Sequence, residues 1–405
     1  MARHAASFPV AGWVKHYSKQ RFLNDLIAAV IVAIMLIPQS LAYAMLAGLP
    51  PEVGLYASIA PLIAYALLGT SSTLSVGPVA ITSLMTGAAL AEVAQQGTAD
   101  YLTGAITLAA LSGIILLGFG VLRLGFLANF LSHTVVSAFI TASALIIALS
   151  QVRHVFGIEA EGDNLFELVH AIGIQSNDAN FYTLLVGLAT LSFLFAVRSW
   201  GVGMMQKAGL SARTAELASK FAPILGVVAT ILLTIRFELA GRGVAIVGEI
   251  PTGLPMFAVP AFSLELVEML LAPAALISII GYVESISVGR TLGAHRQERV
   301  DSNKELVGLG AANLSSAFSG ALPVTGGFSR SVVNFDAGAV TQGASIYTAI
   351  LIALASLLLT PALYFLPKAT LAATIIVAVL SLVDLSIIRK TWSYSKSDSL
   401  ALLIT

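Results

Sequence analysis

Apolar runs of roughly 17 residues or more follow one another along this 405-residue chain, and that succession limits the fold more than any other feature. A water-soluble domain could not cover them, because 57% of the residues are hydrophobic and only 10% are charged. The runs predict an all-α polytopic membrane protein. Its spans fall at 25–47, 53–69, 78–95, 101–122, 126–152, 181–197, 221–236, 266–289, 303–321, 328–336, 341–360 and 369–386. A thirteenth opens near Asp398 and stops at Thr405, so the chain reads as truncated. Residues 1–24 form a polar N-terminal segment, without the short apolar core and cleavage site of a signal peptide, and 25–405 form the transmembrane domain. The 21 basic and 21 acidic residues balance, which implies no nucleic-acid partner; the partner implied is the lipid bilayer. Cysteine is absent, which excludes disulfides, thiolate metal sites and a cysteine nucleophile.

Lys and Arg set the orientation. With the N-terminus inside, the cytoplasmic segments hold Arg3, Lys15, Lys19, Arg21, Arg123, Arg198, Lys207, Arg213, Lys220, Arg290, Arg296, Arg299, Lys304, Arg389, Lys390 and Lys396. The outer loops hold Arg153, Arg236, Arg242 and Lys368, a split of 16 against 4. This predicts a multi-pass protein of the inner (plasma) membrane with a cytoplasmic N-terminus.

Two polar breaks interrupt the apolar pattern. Residues 320–332 (GALPVTGGFSRSV) place Pro323, Gly326 and Gly327 where a helix interior would not hold them, then restart as a half-helix carrying Arg330. Residues 73–78 (TLSVGP) form a similar lead-in to the third span, with Pro78 placed as its first helical residue. Irregular backbone at membrane depth is tolerated where it is buried in protein or lines a wet cavity. The breaks stand seven spans apart, and an odd number of spans per unit inverts the second copy. Broken helices at matching positions in two halves point to a midplane substrate site. The alternative is that Pro78 and Pro323 are simple kinks, but both breaks also carry small polar residues.

Arg330 is the strongest candidate, because an arginine at membrane depth is costly and here adds to the positive end of a half-helix. Glu284, late in the eighth span, is the second: a carboxyl there can carry a coupling proton or balance Arg330. Either residue could instead belong to a permanent ion pair that fixes packing. Gln39 and Tyr43 lie four apart beyond Pro38 and share a face offering neutral donors. Thr325 and Ser329 add hydroxyl or backbone contacts. Asp384 reads as interfacial and Asp336 as a cap at the end of the half-helix. Gly113, Gly118, Gly120 and Gly125 read as close-packing positions. The six histidines show no metal spacing, and neither a nucleophile elbow nor a phosphate loop is found, so no enzyme, ATP-driven transport or cofactor is expected.

Residues 38–56 (PQSLAYAMLAGLPPEVGLY), 303–313 (NKELVGLGAAN) and 323–330 (PVTGGFSR) closely resemble stretches of the sulfate permease family, and the resemblance covers the whole chain. It implies fourteen spans in two inverted repeats of seven, with a core (spans 1–4 and 8–11) moving against a gate (5–7 and 12–14). It implies an anion held between the half-helices of spans 3 and 10, lined by Gly77, Pro78 and Thr325. A cytoplasmic STAS domain, absent from this sequence, and homodimers are usual in the family. Ser329 and Arg330 fall on its anion-binding Ser-Arg pair, Glu284 on the acidic position tied to cation coupling, and Gln39 and Tyr43 on the polar face near the substrate. In sodium-coupled bicarbonate members, which the chain otherwise resembles, a hydroxyl follows the acid by four residues. Here that residue is Val288, which favours a proton over sodium as coupling ion.

The function expected is secondary-active anion transport, foremost proton-coupled sulfate symport by alternating access. Arg330 would pair with Glu284 in the empty carrier and be released when Glu284 is protonated. A dicarboxylate such as fumarate, bicarbonate or chloride would suit the same positive site, in a carrier or an exchanger. An anion channel is the alternative from another class.

Overall fold

Ser18 starts the first helix: its side-chain oxygen accepts the Arg21 amide at 3.3 Å, and α1 then runs Lys19–Leu46. The computed structural model describes residues 13–15, 17–129, 133–160, 165–380 and 383. At 28 residues α1 is about 42 Å long, more than a hydrocarbon core requires. It begins six residues ahead of the expected span because its first turns are polar and interfacial. Residues 53–69, expected as one span, form α2 (Pro51–Tyr56) and α3 (Ala60–Leu68). Pro61 has no amide to continue the ladder and its ring crowds the carbonyl of Ala57.

The first break contains β1 (Val76–Gly77) and leads into α4 (Ala80–Ala91). Next come α5 (Ala99–Val121), capped by Thr98, and α6 (His133–Phe156). A short helix, α7 (Leu165–Gln175), precedes α8 (Phe181–Ala196), which passes through a π-helical turn at Val197–Gly201 into α9 (Val202–Lys207). Then follow α10 (Ala212–Ser219) and α11 (Ala222–Arg236). After an irregular stretch, Ser263 caps α12 (Leu264–His295), and Asp301 caps α13 (Ser302–Phe318) by accepting the Asn303 and Lys304 amides. The second break holds β2 (Thr325–Gly326), followed by α14 (Phe328–Asp336), α15 (Gly343–Leu358) and α16 (Lys368–Leu380). The described residues are thus mostly helical, as the apolar pattern predicts. Lys19–Leu46, Pro51–Leu68, Ala99–Val121, Phe181–Lys207 and Leu264–His295 are each long and apolar enough to cross a bilayer. The helices α7, α9 and α10 were not expected, because they lack the long apolar run that marks a span. The end of the twelfth span, Asp384 and the thirteenth span lie outside the described residues.

The chain divides into two compact units. Unit 2 comprises Leu131–Pro251 and Leu359–Thr405. Within it α16 packs on α6 and α8, with Val155, Ala372 and Ile376 buried together. The Val247 amide donates to the Leu366 carbonyl (2.8 Å) and the Lys368 amide to the Ala245 carbonyl (2.9 Å), tying the distant segments of unit 2 together.

Unit 1 comprises Met1–Phe130 and Thr252–Leu358 and holds both breaks. Its α5 and α13 cross at Gly113 and Gly310. A Cβ on Gly310 would sit 2.8 Å from the Leu117 amide nitrogen, and one on Gly113 would sit 2.8 Å from that of Leu314. Small residues permit such backbone approach between helices in lipid. Gly120 and Gly125 face α13 and its lead-in closely as well, but Gly118 faces open space and is not a packing position. Gly310→Leu should therefore separate these helices. A loss of about 1–3 kcal/mol is expected, seen as a lowered Tm of the purified protein in detergent. An unchanged Tm would show that the crossing can relax without cost.

Candidate functional site

Neither half-helix can cross a membrane alone: at 12 and 9 residues, α4 and α14 are roughly 18 and 14 Å long. What bridges the remainder is a pair of extended segments. β1 and β2 run antiparallel, with Val76 opposite Gly326 and Gly77 opposite Thr325. The ladder lets the polar backbone of each break satisfy the other in a buried place. Pairing also holds the chain extended as far as Val79 (φ −130°, ψ 149°). Helix α4 accordingly starts at Ala80, so Pro78 lies in the extended lead-in rather than at the first helical position.

Arg330 lies across this ladder and is only 3% exposed. Its Nε donates to the Ser75 carbonyl (2.9 Å), and its Nη2 donates to the carbonyls of Gly77 (2.6 Å) and Thr325 (2.9 Å). Three of the five guanidinium N–H bonds are thereby used, one set on each break. The two on Nη1 have no acceptor among the described residues. Two glycines make room for the fork: a Cβ on Gly77 would lie 2.9 Å from Nη1, and one on Gly327 would lie 2.9 Å from Nε. At the starts of α4 and α14, neither Val79 nor Gly327 supplies a side-chain cap. Both helix ends therefore keep amides that their own helices cannot use.

The expected ion pair between Glu284 and Arg330 is not formed. Glu284, 6% exposed on α12, lies near the start of α14, and its Oε2 has no hydrogen-bond partner. Arg330 prefers the three carbonyls because they match its planar fork and arise from the paired breaks. The two charges remain close enough to act on each other through space. Val288, one turn further along α12, is buried and offers no ligand atom.

Helix α1 packs against both half-helices. It carries Tyr43, 7% exposed, and the half-buried Gln39. Neither side chain hydrogen-bonds within the described protein, and nor does that of the half-buried Ser329. Thr325 differs, because its hydroxyl donates to the Gly281 carbonyl (2.7 Å) and meets the Ser285 hydroxyl at 2.7 Å. It fastens the break to α12, and what it offers to the site is its carbonyl. All of these residues belong to unit 1, and Arg330 meets Gly77 and Thr325 across its two breaks.

Sequence reasoning missed the residues that hold the breaks in place. Ser285 accepts the Gly326 amide (2.8 Å), and Ser331 accepts the Ser75 amide (3.0 Å). Asn334 donates to the Thr73 carbonyl (3.1 Å). Asn313 bonds both the amide (3.0 Å) and the carbonyl (2.8 Å) of Val324. Their signal was present as buried polar side chains in otherwise apolar helices, each of which needs a partner. Gly327→Ala tests the fit of the fork. The added methyl should displace the guanidinium and reduce anion binding about 5- to 100-fold with the fold retained, read by isothermal titration. Unaltered affinity would mean that the guanidinium is not held in place for a ligand.

Comparison with known proteins identifies the family and the fold. Residues 22–405 match the model of the sulfate permease family. The chain is 37% identical to sulfate transporter 4.1, chloroplastic, of Arabidopsis thaliana, over 96% of this chain and 56% of that protein. It is 35% identical to a probable sulfate transporter of Mycobacterium tuberculosis, over 98% of this chain and 69% of that one. The chain therefore spans little more than half the length of its plant relative. Its fold superposes on the murine solute carrier 26 family member A9 anion transporter in the inward-facing state, with TM-score 0.90 and 26% identity, over 100% of this chain and 69% of that one. The transmembrane domain of the cyanobacterial bicarbonate transporter BicA shares the fold, with TM-score 0.80 and 22% identity, over 96% of each chain. By the family match along almost its whole length, and by its identity to these transporters, the chain belongs to the sulfate permease family.

Proposed function

We propose that the protein is a secondary-active transporter of small anions, and foremost a proton-coupled sulfate symporter working by alternating access. The observation that carries this reading is Arg330: a buried guanidinium, oriented by three carbonyls, keeps two N–H donors free beside two uncapped helix starts. Sulfate would take these donors, with Tyr43, Gln39 and Ser329 completing its shell. Plant and mycobacterial relatives named as sulfate transporters favour sulfate among the anions that such a site accepts.

Coupling would follow from Glu284, through its charge near the site rather than through an ion pair. The ionised carboxylate would place negative charge near the start of α14 and close to Arg330. Protonation would remove that charge and favour the anion beside Arg330, so proton and anion would move together. The two breaks would belong to repeats inverted relative to each other, unit 1 would act as the moving core, and the protein would work as a homodimer in the inner or plasma membrane with its N-terminus cytoplasmic.

The test is uptake of labelled sulfate into sodium-free proteoliposomes holding the full-length protein, under an inward proton gradient. Fumarate and bicarbonate serve as competitors. Accumulation that needs the gradient would support the symport reading. Uptake of fumarate or bicarbonate without sulfate would replace the substrate. Large unitary currents without counterflow would replace the carrier by a channel.

A further inference from the structure

Glu305, on the first turn of α13, is a fully buried acid that no Lys or Arg pairs with among the described residues. Its partners are donors from the end of α3 and the chain that leaves it. Oε1 accepts the Thr70 amide (2.6 Å), the Thr70 hydroxyl (2.5 Å) and the Ser71 amide (3.1 Å), and Oε2 accepts the Tyr65 hydroxyl (2.6 Å). Amides only donate, and the Thr70 oxygen already accepts the Asp301 amide (3.2 Å), so its own proton goes to Glu305. Oε1 therefore acts as a carboxylate oxygen with three donors. Hydrogen bonds of that kind are roughly twice as strong as neutral ones. A neutral amide side chain could tie the same loop at a lower desolvation cost, so what the ionised group adds is a stiffer hold.

That hold lies beside the strand that serves Arg330. Ser71 stands four residues before Ser75 and six before Gly77, whose carbonyls accept the guanidinium. The Ser71 hydroxyl accepts the Leu74 amide (3.2 Å), which turns the chain into β1. Leu74 is buried against β2: a Cβ on Gly326 would sit 2.7 Å from its Cδ1. Gly308, next to Glu305 along α13, lets the helix come this near, since a Cβ there would sit 2.9 Å from the Gly69 Cα. The contacts thus run unbroken from the carboxylate to Ser71, from Ser71 to Leu74 and from Leu74 to the ladder. Asp25 makes a similar set of bonds to Val340 and Thr341, but those residues follow α14 and lead away from the ladder.

We propose that Glu305 is a positioning residue of the anion site: by holding Thr70 and Ser71 it fixes the Ser75 and Gly77 carbonyls, and through them the edge of Arg330 that meets the anion. This rests on the anion-binding role of Arg330 proposed above. With Glu305 weakened, the guanidinium keeps its charge and loses its direction, so affinity falls while the fold remains.

The experiment is a double-mutant cycle in the full-length protein. Sulfate binding, with fumarate and bicarbonate titrated beside it, is read by isothermal titration in the parent, Glu305→Gln, Arg330→Lys and the double variant. Glutamine keeps the length and one acceptor oxygen, so the loop stays tied, but by neutral bonds. Glu305→Gln is expected to weaken binding about 5- to 20-fold in the parent and less than about twofold in the Arg330→Lys background, where no fork remains to be aimed. Equal losses in the two backgrounds would show that Glu305 only supports the fold, and would overturn the proposal. Affinity in Glu305→Gln within about twofold of the parent would overturn it as well. Should Glu305→Gln not fold, Ser71→Ala cuts the link to Leu74, leaves the carboxylate in place and is read by the same outcomes. Failure of the underlying reading looks different: the parent would bind none of the three anions, or Arg330→Lys would bind as the parent does, and the proposal would fall with it.

Discussion

Replacing Arg330 by Ala is expected to reduce anion uptake by about 100-fold or more in proteoliposomes. The estimate comes from the two Nη1 donors: hydrogen bonds to a charged group contribute about 1.5–3 kcal/mol each. The substitution also strips the carbonyls of Ser75, Gly77 and Thr325 of their buried donor. Its effect therefore mixes lost binding with a loosened ladder. Arg330→Lys separates the two, since an ammonium keeps the charge but cannot span three carbonyls and still present a free edge. Uptake by the Lys variant should fall at least about tenfold while its thermal stability stays nearer the parent than that of the Ala variant. Near-normal uptake by Lys would mean that charge alone is used and that the guanidinium geometry is incidental.

Glu284→Gln is expected to abolish accumulation driven by a proton gradient and to leave exchange between two anion pools within about threefold of normal, a change of well under 1 kcal/mol. Glutamine keeps the volume without the charge, so it imitates the protonated acid permanently. A carrier locked in that form can still bind and return anion, but it cannot tie the cycle to proton movement. The check is paired: gradient-driven uptake and counterflow in the same vesicles. Full gradient-driven uptake by the variant would remove Glu284 from the proton path.

Much of this arrangement was legible in the residues. The half-helix at Phe328–Asp336 could be placed because Pro323, Gly326 and Gly327 exclude a continuous helix, and Arg330 stood out as a charge amid apolar spans. What could not be read is how Arg330 is held. Its acceptors are main-chain carbonyls, which every residue carries, so no side-chain pattern announces them. A pairing of opposite charges was the simpler expectation, and the strand pairing between distant breaks displaced it. The interruption between α2 and α3 is visible only once Pro61 is weighed against the apolar run around it. Scaffold residues such as Asn313 and Ser331 escape for another reason, since each looks like an isolated polar substitution until the segment it grips is known.

The bonds from Arg330 to Ser75 and Gly77 join residues 255 and 253 positions apart. That separation has a bearing on how the protein is made. When the first break leaves the ribosome, neither the strand nor the guanidinium that will satisfy its carbonyls exists. At ordinary elongation speeds the wait lasts roughly 10–50 s. Through that interval the nascent N-terminal part must keep its polar backbone near water or in the care of the insertion machinery. The ladder is thus closed late, and the proposed anion site is among the last features of unit 1 to assemble during biogenesis.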